Sequence, residues 1–207
     1  ADVSGDSGTF GLRYTLSDLA GTGLKLDMMY YPHFGTAGTT GDQATSGSIA
    51  GNKDAQSNTL TGTTEGLSYG IGYAQKSYNL KNTAGSPGQD RDEATVYLKY
   101  AAGPISLGAQ LGRVSKSGLG TANYTNQYYG ISYAISDDLS ISYNMIESTR
   151  GGHEAAWSQT TQDFDSISLS YSMGGMTIGI ADADCSNCSY TANRKQDETT
   201  VSLSVAF

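Results

Sequence analysis

Along most of this chain a large apolar side chain stands at every second position, and the positions between hold Ser, Gly, Thr and Ala rather than Lys and Glu. Period two is the signature of a strand, whose successive side chains leave opposite faces. Val201, Leu203, Val205 and Phe207 alternate in this way with Thr200, Ser202, Ser204 and Ala206. Ile167, Leu169, Tyr171 and Met173 alternate with serines, and Leu139, Ile141, Tyr143 and Met145 repeat the pattern. Earlier runs centre on Met176–Ile180, Tyr129–Ile135, Ile105–Leu111, Val96–Tyr100, Leu67–Tyr73, Leu24–Tyr30 and Phe10–Leu16. A weaker strand is expected over 57–63, where Leu60 is the one large apolar residue, giving roughly eleven strands.

The small-residue face decides what such strands build. In a soluble sandwich the outer faces carry Lys, Glu and Thr to bulk water. Small, nearly uncharged side chains instead suit the inner face of a membrane barrel, where bulk would fill the lumen. Composition agrees, with 27 Gly and 15 Tyr but 3 Pro, and only 37 % hydrophobic residues. A barrel strand needs only alternate apolar residues, so low mean hydropathy is no obstacle. No apolar stretch reaches the length of a transmembrane helix. Tyrosines gather near strand ends, at Tyr30, Tyr31, Tyr78, Tyr100, Tyr128 and Tyr129, as expected of rings at a membrane interface. The net charge of -8 argues against nucleic acid as a partner.

Connections alternate in length. Short links fall at 17–22, 64–66, 102–103, 136–138 and 174–175, and long polar ones at 33–56, 79–92, 115–123, 148–162 and 184–197. Tight turns on one rim and long loops on the other are the periplasmic and extracellular sides of an outer-membrane barrel. The expected fold is therefore all-β, a transmembrane antiparallel up-and-down β-barrel in one domain over residues 1–207, integral to an outer membrane and in contact with its lipid.

Two segments resemble the general diffusion porins of Gram-negative bacteria. One is the last strand, ETTVSLSVAF over 198–207, whose aromatic end Phe207 looks like the porin assembly signal. The other is FGLRYTLSDLAGTGLKLDMMYYP over 10–32, similar to a porin hairpin in which an Arg-Tyr strand crosses a short Ala-Gly turn. Arg13, Tyr14, Leu19, Ala20 and Gly21 carry that match. The resemblance implies a homotrimeric channel for passive diffusion of small hydrophilic solutes and ions. Complete bacterial barrels have an even strand number, so an odd count implies part of a larger barrel; the resemblance to porins implies that this barrel has about sixteen strands, with the first strands and the constriction loop lying elsewhere. One strand more or fewer would instead give a complete small barrel.

Passive diffusion needs lining charges rather than catalysts. Parity puts Arg13, Lys25, Asp27, Lys76 and Lys99 on the small-residue face. The resemblance makes Arg13, Lys25 and Lys99 wall cations with Asp27 as local counter-charge; otherwise they are simply wetted charges. Cys185 and Cys188 form CSNC, expected as a disulfide pinning a loop tip, since zinc would need two further ligands from a chain holding only His33 and His153. The pairs Asp90 with Asp92 and Asp182 with Asp184 are either calcium ligands or solvated loop charge. No other cofactor is implied. His153 beside Glu154 matches no catalytic signature, so no enzyme is expected. The alternative function is a surface-binding or adhesive barrel acting through its long loops.

Overall fold

The computed structural model describes residues 10–33, 52–78, 90–116, 122–152 and 159–205. These form one antiparallel sheet of eleven strands in sequential order. The strands are β1 (Phe10–Leu16), β2 (Lys25–His33), β3 (Asn52–Thr64), β4 (Leu67–Tyr78), β5 (Arg91–Ala102) and β6 (Ile105–Lys116). They continue as β7 (Ala122–Ala134), β8 (Leu139–Gly152), β9 (Thr160–Met173), β10 (Met176–Ser186) and β11 (Lys195–Val205). Each strand pairs only with its neighbours in sequence, and the sheet is open, with β1 and β11 as its edges among the described residues. The expected weak strand over 57–63 lies within the longer β3. Phe207, His153 and most of the long connections lie outside the described residues.

The short links are as tight as the spacing suggests, at residues 65–66, 103–104, 135–138 and 174–175. Gly66 (φ 84°), Gly103 (φ 54°) and Gly174 (φ 57°) occupy the left-handed region that such turns require. At Gly66 a side chain would also strike the carbonyl oxygen of Ala101 on the neighbouring hairpin.

One face of the sheet is apolar and uncovered. Buried hydrophobic residues are few: Tyr31, Ala55, Ala74 and Cys188 among the described residues. Leu12, Ile71, Leu98, Ile131, Ile178 and Leu203 are all exposed, the reverse of a water-soluble domain. Among the described residues no second sheet packs on this face to make a sandwich. Nor is any helix of the described residues long and apolar enough to cross a membrane, so strands are the elements able to cross.

The apolar surface is a band cut obliquely across the strand pairing. One cross-strand row runs Leu16, Leu26, Leu60, Ile71, Val96 and Leu111 from β1 to β6. It continues as Gln127, Glu147 and Asp163 on β7 to β9. Nearer the short turns, a second row stays apolar to the far edge, through Ile105, Tyr133, Ile141, Leu169, Ile180 and Val201. A level band crossing slanted rows is what strands tilted by about 35–45° in a bilayer produce.

Candidate functional site

The opposite face carries small residues in unbroken rows. Asp27, Thr59, Gly72, Thr95, Gly112, Asn126 and Ser148 make one such row from β2 to β8. Side chains of this size leave room above the sheet. Larger groups lie flat where a glycine permits it: the Tyr97 ring sits over Gly70, 2.6 Å from where a Cβ would stand.

Charges stand in this wall at set places. On β1 and β2, Asp27 joins three partners from its own face. Arg13 Nη2 and Nε donate to Asp27 Oδ1 at 2.9 and 3.1 Å, and Thr15 Oγ1 donates to the same oxygen. Lys25 Nζ lies 2.8 Å from Asp27 Oδ2. The carboxylate is mostly covered, whereas the arginine and lysine remain well exposed, so the cluster presents cationic groups to solvent. Toward the long-loop rim, Lys76, Arg91 and Lys116 stand directly opposite one another on β4, β5 and β6. Arg91 Nε is 2.6 Å from Glu93 Oε1. Lys99 sits between Ser68 and Gly108, and Arg150 between Tyr124 and Thr160, on the same face. Among the described strand side chains, this face holds carboxylates only at Asp27, Glu93 and Glu198.

Seven further strand carboxylates lie on the apolar side, past the band. Asp92, Glu147, Asp163, Asp165, Asp182, Asp184 and Asp197 occupy positions there, with Arg113 and Lys195 as the basic residues. Tyrosine hydroxyls at the band's edge reach up to them. Tyr73 Oη donates to Asp92 at 2.8 Å and Tyr143 Oη to Asp165 at 2.5 Å. An aromatic ring in hydrocarbon with its hydroxyl in the polar layer is the girdle of a membrane barrel.

An exposed apolar band, an aromatic girdle, tilted strands and a small-residue polar face define the class: this is an outer-membrane β-barrel fold. No protein-family model matches the sequence, and no curated protein matches it. Solved structures do. An anion-selective porin from Comamonas acidovorans superposes with a TM-score of 0.71 at 14 % identity, over 95 % of this chain and 59 % of the porin. The outer-membrane protein OmpT of Vibrio cholerae aligns at TM-score 0.61 and 10 % identity, over 93 % of this chain and 62 % of OmpT. Its loop L8 deletion mutant aligns at 0.63 and 7 % identity, over 93 % and 61 %. The chain thus spans about three-fifths of the length of the structures it resembles.

Of the residues singled out from the sequence, Arg13, Lys25 and Asp27 come together in one cluster. Lys99 stands three strands away and Lys76 near the opposite rim. Cys185 and Cys188 are joined by a disulfide. Of the calcium candidates, Asp92 accepts from Tyr73, Asp182 accepts from Thr199 Oγ1 at 2.6 Å, Asp184 stands directly opposite Asp165 and Asp197, and Asp90 precedes β5. Among the described residues no group of three or more His, Cys, Asp or Glu is set to hold a metal ion. Tyr31 and Tyr128, expected at the girdle, face the polar side instead. Arg91, Glu93, Lys116, Arg150 and Glu198 were missed. Their parity with Lys99, Gly108, Ser142 and Ser202 would have found them, had the strands been carried past the last apolar residue.

Proposed function

We propose that this chain forms the wall of a porin in a Gram-negative outer membrane, a water-filled passage for passive diffusion of small hydrophilic solutes and ions, with a preference for anions and no catalytic role. The polar face carries this reading. In a barrel it is the lumen face, and its small side chains leave an opening there. Its basic residues outnumber its carboxylates although the chain as a whole is acidic. Charges beside a narrow aqueous path set which ions enter it. The likeness to an anion-selective porin concerns the fold; the anion preference is argued from Arg13, Lys25, Lys76, Arg91, Lys99, Lys116 and Arg150.

In lipid both open edges need a pairing strand, because unpaired backbone groups are costly there. The eleven strands are therefore read as part of a larger barrel wall, and the resemblance to general porins extends that reading to a homotrimer of barrels of about sixteen strands. Planar bilayers under a potassium chloride gradient test it. Steady open steps with a reversal potential of anionic sign are expected. Silent bilayers from well-folded protein would sink the channel reading and favour a surface-binding barrel, and a cationic sign would sink the anion preference.

A further inference from the structure

The connection between β10 and β11, residues 187–194, turns back over the polar face. Tyr190 is its anchor. The Tyr190 and Ser148 hydroxyls share a 2.6 Å hydrogen bond, and Ser148 is buried. The Arg150 guanidinium lies 5.0 Å from the centre of the Tyr190 ring and donates to the Tyr190 carbonyl at 3.3 Å. The Tyr124 ring meets the same ring at 5.6 Å between centres. Two further bonds hold the segment down: Asn187 Nδ2 donates to the Thr161 carbonyl at 2.9 Å, and the Ser189 amide donates to Gln162 Oε1 at 2.8 Å.

Tyr124, Ser148, Arg150 and Gln162 all belong to the small-residue face. Starting from β10, the loop therefore reaches across β9 and β8 to β7, roughly 14 Å of wall at the usual strand spacing. Its backbone is shaped for this return. Asn187, Ser189, Tyr190 and Asn193 all have φ between 53° and 64°, a region that costs free energy outside glycine and persists where surrounding contacts hold it. The Cys185–Cys188 disulfide closes the turn where it leaves β10.

We propose that residues 187–194 form a fixed flap inside the passage, narrowing it over β7 to β9 and placing Ser189 beside the solute path, with Tyr190 as anchor and the disulfide as tether. This inference rests on reading the polar face as the lumen of a channel.

The test uses the full-length protein in planar bilayers. Ser189 is exposed, and its left-handed backbone accepts Asp readily. At about 0.15 M salt, Ser189→Asp should lower the anion-to-cation permeability ratio about twofold and Ser189→Lys raise it by about as much, the opposite effects on anion and cation of one charge roughly 8 Å away in water, screened over a Debye length of about 8 Å. Releasing the flap, by Tyr190→Ala together with Cys185→Ser and Cys188→Ser, should raise single-channel conductance on the order of 1.5-fold, since a chain layer on a sheet takes up to about 10 Å of depth. If the unaltered protein conducts and both Ser189 variants leave its ratio unchanged, the flap is refuted and the channel stands. If the released variant folds and conducts as before, the narrowing is refuted. If the unaltered, folded protein does not conduct, the channel reading itself fails.

Discussion

Replacing Ile131 by arginine is the most direct test of which face meets lipid. Ile131 stands mid-band on β7, with Leu107 and Tyr143 directly beside it on β6 and β8, and is 46 % exposed in the absence of lipid. Its neighbour Ser132 points to the other side, between Ser106 and Ser142. An arginine on the lipid face near the bilayer midplane costs about 2–4 kcal/mol. Ile131→Arg should therefore lower the folding equilibrium constant roughly 30- to 700-fold, at about 1.4 kcal/mol per factor of ten. Ser132→Arg puts the same guanidinium into a wet lumen and should stay within about 0.5 kcal/mol. Urea titration in lipid vesicles, read by the electrophoretic difference between folded and unfolded barrel, gives both values. Equal costs for the two variants, or a larger one for Ser132→Arg, would refute the assignment of the faces.

Two other expectations follow from single side chains. Asp27→Asn removes the carboxylate between Arg13 and Lys25 and leaves both cations on the wall. The anion-to-cation permeability ratio should rise about twofold at low salt and less at 1 M, where the Debye length is about 3 Å; a fall in the ratio would contradict the lumen placement. Gly66→Ala combines a left-handed backbone with a clash against the Ala101 carbonyl, whereas Gly103→Ala meets nothing within 4 Å. The first should cost about 2–3 kcal/mol and the second about 1 kcal/mol in the same urea assay, so equal costs would argue against that turn geometry.

Strand number, strand order and facing were legible because lipid imposes a rule on every crossing residue: alternate side chains must be apolar, and Ser, Gly and Thr are left for the inside. The rule lapses where a strand leaves the hydrocarbon. β5 begins at Arg91, five residues before the alternation starts at Val96, and β8 runs on to Gly152 past its last alternating residue, Met145. Arg91, Lys116 and Arg150 lie in such extensions, so they read as loop although their parity was available. The return of the 187–194 loop was not legible for another reason. Its direction depends on Tyr124, Ser148 and Arg150, partners that lie 40 or more residues away and that no local pattern connects to Tyr190.

The net charge of -8 shows how composition misleads when two faces of one sheet meet different media. A carboxylate on the lipid side is tolerable only beyond the hydrocarbon, and there the tyrosines of the girdle supply hydroxyl donors at its level, as Tyr73 does for Asp92 and Tyr143 for Asp165. Those acids lie on the outer side, and the sheet stands between them and the polar face. The cations Lys76, Arg91, Lys99 and Lys116 instead stand on the polar face itself, so that in the proposed channel no thickness of protein intervenes between them and a passing ion. Coulomb interaction falls with distance, and salt screens it within about a Debye length, so the near wall outweighs the distant total. Tilt strengthens the separation, because it carries the acidic ends of β8 to β11 past the apolar band on the outer side while Glu198 is the one carboxylate that β11 turns inward. An acidic chain can therefore line a passage that favours anions.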